Sequence, residues 1–187
     1  MKGRIWTVPN QITLLRLGFL PIFLILISYE HYRWALLVLV VAGLSDGIDG
    51  MIARKFNQRS PLGAYLDPIA DKLLLSSSFL ILAFERQLAW WLTILVLSRD
   101  ILILIVAVVI ILSSGYRPFP PSIYGKLTTA AQIMLVFGIV LAAAYPNARV
   151  TLLNHFLIYA VTILCVVSSF HYSIVTARRL SSSSSAS

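Results

Sequence analysis

The sequence predicts an all-α integral membrane protein of six transmembrane helices, and three observations carry that prediction. Of the 187 residues, 59% are hydrophobic and 12% are charged, against roughly 25% charged in an ordinary soluble domain. The apolar residues are gathered into long stretches, and the breaks between them are short and built from charge, Pro and Gly. A helix crossing the hydrocarbon core needs roughly 20 apolar residues, so a chain of this length accommodates about six such helices with short loops and little room for a soluble domain.

The spans are expected at 11–28, 34–53, 63–84, 88–112, 123–145 and 151–176. The first carries Arg16, outruns a signal-peptide core and shows no small-residue cleavage pattern before Tyr29, so it reads as a retained helix. Tyr29-Glu30-His31-Tyr32-Arg33 separates it from the second span, which opens on Trp34. The turn from Lys55 to Pro61 leads into the third span, and Glu85-Arg86-Gln87 ends that one. The fourth runs out at Ser113, before a stretch containing Pro118, Pro120 and Pro121. Tyr145-Pro146-Asn147 separates the fifth from the sixth. Residues 1–180 then form one membrane domain, and the serine-rich 181–187 are expected to be a disordered tail.

Six spans put both termini on one side of the membrane. The N-terminus, the second and fourth loops and the C-terminus hold nine basic residues, Lys2, Arg4, Arg54, Lys55, Arg59, Arg117, Lys126, Arg178 and Arg179; the opposite loops hold three, Arg33, Arg86 and Arg149. By the positive-inside rule the termini face the cytoplasm, while Trp6, Trp34, Trp90 and Trp91 sit near span ends as interfacial anchors. This distribution also accounts for the net charge of +8 without nucleic acid, since there is no basic run and no aromatic-basic interleaving. Cys165 is the sole thiol, which leaves no disulfide framework and no cysteine metal site.

Four of the seven acidic residues, Asp46, Asp49, Asp67 and Asp71, fall in one 26-residue window across the second and third spans. An ionised Asp in the core of a bilayer costs on the order of 2.5 to 3.5 kcal/mol, so such residues face a polar cavity and have a task. Spacings of i, i+3 and i, i+4 put each pair on one face of its own helix. A short loop makes the two helices antiparallel neighbours. Counting 1.5 Å per residue from Trp34, Asp46 lies roughly 18 Å in and Asp49 roughly 22 Å, in the cytoplasmic half of the core.

Oxygen ligands without His or Cys select hard cations, Mg²⁺, Mn²⁺ or Ca²⁺. Magnesium, one ion or two, is the expected cofactor, with Mn²⁺ as its substitute. It favours a few carboxylates plus substrate phosphate oxygens, which points to a phosphorylated substrate. The competing reading makes the aspartates ion-pair partners of Arg54 and Lys72 that merely hold two helices together. Gly43 reads as close helix packing; Gly50, Ala53 and Gly63 fit either packing or a flat base lying against the backbone. A divalent-cation transporter would also place acids in a membrane, but neither an internal repeat nor a pair of broken half-helices is visible.

Asp46-Gly47-Ile48-Asp49-Gly50-Met51-Ile52-Ala53-Arg54, then eight residues, Gly63, three residues, Asp67, three residues and Asp71 resembles the signature of the CDP-alcohol phosphatidyltransferase family at all eight of its specified positions. The likeness extends to Pro9-Asn10-Gln11-Ile12-Thr13-Leu14-Leu15-Arg16, to Leu66-Asp67-Pro68-Ile69-Ala70-Asp71-Lys72 and to Gly125-Lys126-Leu127-Thr128-Thr129-Ala130-Ala131-Gln132. It is nearest to the phosphatidylglycerophosphate synthase and eukaryotic-type cardiolipin synthase branches.

The resemblance implies a homodimer of six-helix subunits with a polar cavity open to the cytoplasm, a CDP-diacylglycerol donor and CMP as leaving product. It implies metal ligation by Asp46, Asp49, Asp67 and Asp71, with Asp71 as general base. Donor nucleotide and phosphates are then expected at Asn10, Thr13, Asp46, Gly50, Ala53, Arg54 and Gly63. The implied acceptor is glycerol 3-phosphate, with phosphatidylglycerol as alternative and inositol phosphate third. Ser98-Arg99-Asp100 departs from the phosphatidylglycerophosphate synthase pattern and is closer to that of cardiolipin synthases.

Arg16, Lys72 and Arg99 are the basic residues that this topology buries deepest, and buried charge needs a partner or a ligand. Arg99 and Asp100 are adjacent, hence about 100° apart on a helix, and are expected to be poor mutual partners. Arg99 with Arg117 and Lys126 is expected to form an anion pocket for the acceptor phosphate, the competing reading being that these are helix-end charges. His31, His155 and His171 show no metal-ligand spacing and read as structural.

Overall fold

The computed structural model describes residues 8–56, 61–114 and 123–184, with side chains described for 17–45, 72–105 and 123–172. Among the described residues there are six α-helices and no strand: α1 Val8–Ser28, α2 Tyr32–Phe56, α3 Pro61–Phe84, α4 Trp90–Ser114, α5 Ile123–Ala144 and α6 Ala148–Ser184. Two stretches, Ile123–Ala144 and Ala148–Tyr172, are long and apolar enough to cross a membrane by length and composition. At 22 residues, α5 extends ~33 Å, the thickness of a hydrocarbon core.

The helix ends are where the local sequence says they should be. α1 and α3 each close in a Schellman turn: His31 N–H donates to Leu26 O (2.8 Å) and Glu30 N–H to Ile27 O (2.9 Å), while Gln87 N–H donates to Leu82 O (2.9 Å) and Arg86 N–H to Ala83 O (3.1 Å). α6 is capped by Asn147, whose side-chain oxygen accepts from Arg149 N–H at 2.9 Å. Pro61 opens α3 at the first helical position, where a missing N–H is harmless. α4 starts at Trp90 instead of residue 88, since Leu88 N–H still bonds back to Leu82 O. α6 runs through Ser184, four residues into the stretch expected to be a disordered tail, as serine continues an established helix at modest propensity cost; residues 185–187 lie outside the described residues.

The chain divides into two compact units. One contains α1, α2 and α3 with α5 from Val136 and α6 to Thr151. Within it α1 packs against both α2 and α3, and Phe23, Ile27, Ala35, Phe79 and Leu82 are buried. The second contains α4, α5 to Leu135 and α6 from Leu152. Its buried stripes run at helical spacing: Leu92, Val96 and Arg99 on α4; Thr128, Gln132 and Leu135 on α5; Val161, Cys165, Ser168 and Tyr172 on α6.

The outward faces are apolar too. Leu152, Phe156, Tyr159, Ile163 and Phe170 form an exposed stripe on α6, and Trp91, Ile94, Ile101 and Ile105 form one on α4. A helix face turned to water would carry charge there; apolar residues all round suit a helix whose outer face meets lipid or further protein. Helix hydroxyls bond back to their own carbonyls, as Ser45 does to Val41 O (2.8 Å), Ser78 to Leu74 O (2.7 Å) and Ser169 to Cys165 O (2.8 Å), which satisfies them within the helix. Gly43 is exposed, and a Cβ added there would meet nothing within 4 Å. Among the described residues no helix lies close against Gly43, where close packing was expected.

Candidate active site

α2 is unbroken from Tyr32 to Phe56 and α3 from Pro61 to Phe84, so the sequence spacings become helical registers. Asp46, Asp49, Gly50 and Ala53 fall at i, i+3, i+4 and i+7, one stripe along the last turns of α2, with Arg54 beside it. Gly63, Asp67 and Asp71 fall at i, i+4 and i+8 along the first turns of α3. Both stripes belong to the first unit and flank the same connection, residues 57–60. Asn10 and Thr13 lie in the opening turns of α1. The side chains of all these residues are outside the described set, as is Arg117 altogether.

The donor set fits a hard divalent cation. Two helices each supply a pair of carboxylates one turn apart, and oxygen is the ligand type that Mg²⁺ and Mn²⁺ favour. His31 is no candidate co-ligand, since it precedes Asp46 by a helical rise of ~22 Å. Among the described residues no three His, Cys, Asp or Glu side chains come together.

The second unit holds a buried polar cluster that spacing did not reveal. Arg99 is 3% exposed. Its Nη1 donates to Asp100 Oδ1 at 2.7 Å, an ion pair whose side chains are 2% and 9% exposed, and its Nη2 donates to Ser168 Oγ at 3.1 Å. The expectation that Arg99 and Asp100 are poor partners is therefore corrected: Cβ directions diverge between adjacent helical residues, but the three-methylene arm of arginine curls across that angle. Gln132 Nε2 lies 3.7 Å from Cys165 Sγ. Thr128 Oγ1 bonds to Tyr124 O at 2.7 Å and reaches Leu164 O at 3.3 Å. Arg99 Nε and Gln132 Oε1 are buried with no partner among the described residues.

Lys126, the other described member of the expected anion pocket, is exposed on α5. Arg99 is interior and already bonded. Ser168 stands 69 residues from Arg99 and carries no sequence signal as its partner.

A cavity of about 320 Å³ lies at the other end of α2, lined by Glu30, His31, Tyr32, Arg33, Trp34, Ala143 and Ala144. The Arg33 guanidinium sits 5.2 Å from the centre of the Tyr145 ring, and Gln87 Nε2 donates to Tyr32 Oη at 3.3 Å. Tyr32 precedes the apolar stretch that begins at Trp34. Partial burial and then the charge of Glu30 raise its phenol above the ordinary value, the Gln87 bond opposing, so it stays protonated. Some 14 residues of helix separate this cavity from Asp46, a rise of ~21 Å, and it is a different place from the carboxylate stripes.

Residues 6–176 match the family model described as CDP-alcohol phosphatidyltransferase. A cardiolipin synthase (CMP-forming) of Streptomyces coelicolor is 38% identical over 144 residues, covering 74% of this chain and 66% of the relative. The cardiolipin synthase (CMP-forming) of Homo sapiens is 36% identical over 163 residues, covering 76% and 53%. A probable phosphatidylglycerophosphate synthase of Mycobacterium tuberculosis is 33% identical over 153 residues, covering 78% and 71%. The matched region thus spans less than two thirds of the length of either cardiolipin synthase.

Proposed function

This chain belongs to the CDP-alcohol phosphatidyltransferase family, and on that premise we propose that it transfers a phosphatidyl group from CDP-diacylglycerol to the hydroxyl of a glycerol-bearing acceptor, releasing CMP. The observation that carries this reading is the fall of Asp46, Asp49, Gly50, Ala53 and Arg54, then Gly63, Asp67 and Asp71, on unbroken stretches of α2 and α3 at the spacing of the family signature. The family is membrane-bound and depends on divalent metal. The names of two relatives say that they form CMP, which is the product expected when a cytidine diphosphate-linked donor is cleaved within its pyrophosphate. The names of the relatives carry two acceptors into consideration, glycerol 3-phosphate and phosphatidylglycerol.

Asp46, Asp49, Asp67 and Asp71 would hold Mg²⁺ or Mn²⁺. When bound, the cation neutralises the donor pyrophosphate and the charge that develops on the departing CMP. Arg54 contacts the donor phosphates with a planar fork suited to them, and Gly50, Ala53 and Gly63 leave room beside Asn10 and Thr13 for the nucleotide. Asp71 accepts the proton of the acceptor hydroxyl. The freed oxygen forms a bond to the phosphatidyl phosphorus as the bond from that phosphorus to CMP breaks.

The reading places α1 to α4 across the bilayer alongside α5 and α6, with termini, polar cavity and carboxylates at the cytoplasmic side, residues 1–180 as one catalytic domain and two copies forming a homodimer. The bias of nine basic residues against three supports the orientation. The test is CMP release from CDP-diacylglycerol by purified protein in detergent, with Mg²⁺ or chelator, and with each acceptor in turn. Release that needs metal and acceptor is expected. Its absence from folded protein with both acceptors overturns the reading and reopens that of an ion transporter.

A further inference from the structure

The cavity at the end of α2 remote from the aspartates lies wholly within the first unit, and residues of opposite charge line it. Arg33 brings a guanidinium and Glu30 a carboxylate, and among the described residues the two are not ion-paired with each other. The Arg33 guanidinium lies over the Tyr145 ring, a contact that engages its charge and leaves its N–H groups to donate. Tyr32 accepts from Gln87 and stays protonated, so its own hydroxyl proton remains to be donated.

The helix ends reinforce this mixed polarity. Tyr32, Arg33 and Trp34 are the first turn of α2, where N–H groups lack an intrahelical partner, and that turn holds no acidic residue. Ala143 and Ala144 are the end of α5, where carbonyls lack one, and Pro146 has no N–H to supply. The cavity thus offers donors suited to an anion, from Arg33, Tyr32 and α2, and acceptors suited to a cation, from Glu30 and α5. A ligand that carries both charges close together uses all of them, whereas a simple anion or cation uses half.

At about 320 Å³ the cavity has room for a small polar group and not for acyl chains. Exposed Tyr29, Trp34 and Tyr145 stand at or beside the ends of α1, α2 and α5, and such amphipathic rings settle at the headgroup level of a bilayer. We propose that this cavity binds the headgroup of a phospholipid that joins a phosphodiester to a primary ammonium, the phosphate towards Arg33 and Tyr32 and the ammonium towards Glu30 and the carbonyl end of α5. The acyl chains stay outside. In the orientation proposed above this lipid belongs to the outer leaflet, and its site is separate from the one at which donor and acceptor react.

The experiment is native mass spectrometry of the full chain released from detergent, titrated in the presence of chelator with two short-chain lipids. One is phosphatidylethanolamine; the other is phosphatidylethanol of the same chains, which keeps the phosphodiester and lacks the ammonium. Thermal unfolding without lipid checks that each variant is folded. The wild type is expected to hold phosphatidylethanolamine about tenfold more tightly, the scale of one hydrogen bond to a charged group. Arg33→Gln is expected to weaken both lipids by about tenfold. Glu30→Gln is expected to bring phosphatidylethanolamine down to the level of phosphatidylethanol. Arg149→Gln, which removes the same charge from an exposed position that does not line the cavity, is expected to change neither.

A wild type that binds the two lipids equally overturns the proposal, and that result needs no variant to fold. So do Arg33→Gln and Glu30→Gln proteins that bind as the wild type does, the mark of lipid coating the surface. A loss in Arg149→Gln equal to that in Arg33→Gln, the mark of unspecific attraction to charge, overturns it as well. Glycerophosphoethanolamine, the same headgroup without acyl chains, is expected to bind far more weakly; equal binding would give the cavity to a soluble zwitterion and overturn its assignment to a lipid. No turnover is measured, so the outcome is independent of the phosphatidyltransferase reading.

Discussion

Glu30 and Arg86 occupy the same position in two equivalent turns: each is the first residue past the C-cap of its helix, each takes a positive φ, 59° and 56°, and neither is glycine. The left-handed conformation costs an L-residue with a Cβ roughly 1 to 2 kcal/mol, part of which glycine returns as unfolded-chain entropy. Glu30→Gly and Arg86→Gly are each expected to stabilise the protein by about 0.5 to 1 kcal/mol. Chemical or thermal unfolding in detergent measures it, and a loss of stability at both positions would contradict the geometry.

The ion pair in α4 predicts strong non-additivity. Arg99→Met alone leaves Asp100 without its guanidinium in a buried place and is expected to cost about 3 to 5 kcal/mol; Arg99→Met with Asp100→Leu is expected to cost far less, because both charges go together. A double-mutant cycle on unfolding free energy reads the coupling directly. Additive costs would mean that the two side chains do not depend on each other.

Asp71→Asn is expected to leave a folded, membrane-inserted protein whose CMP release falls by roughly 10²- to 10⁴-fold, the range for loss of a general base. Near-normal turnover would remove Asp71 from that role.

Chelation is expected to abolish release, and Mg²⁺ or Mn²⁺ to restore it. Restoration should fail in Asp46→Asn, Asp49→Asn and Asp67→Asn at metal concentrations that suffice for the wild type. Equal metal dependence in all four proteins would separate the carboxylates from the cation.

Gly43→Ala is expected to be tolerated and to stabilise α2 by about 0.5 to 1 kcal/mol, the intrinsic preference of a helix for alanine, as nothing among the described residues stands where the new methyl group goes. Unfolding measures the gain, and size-exclusion with light scattering asks a second question of the same variant. A folded protein that loses its dimer would show that a second copy lies against this glycine.

Much of the fold was legible because lipid simplifies the pattern. The breaks carry charge, as at Glu30 to Arg33 and at Glu85-Arg86, so the first span could be ended at Ser28 and the third at Phe84, where α1 and α3 do end. The signature was legible for a related reason, since acids inside apolar stretches stand out and their spacing maps straight onto a helix. The polar interior of the second unit was not. Arg99 finds Ser168 across 69 residues of chain, a pairing that tertiary packing creates and no local rule encodes, and its bond to Asp100 depends on side-chain reach instead of helical angle. At the C-terminal end low complexity spoke only of composition, whereas α6, once established, takes in residues 181–184 at modest propensity cost.

The turn between α5 and α6 bears on how the protein is made. α5 ends at Ala144 and α6 begins at Ala148, and so short a link reaches at most ~14 Å, little more than the separation of two packed helices. α5, and α6 as far as Tyr172, are each about the height of a bilayer, so on the membrane reading proposed above neither has the slack to cross alone while its neighbour waits in water. That reading has them enter the membrane together as a hairpin, with Arg149 carried over at its tip. Extra charge engineered into that turn would therefore act during biogenesis, stranding two helices at once, before the finished enzyme had any stability to lose.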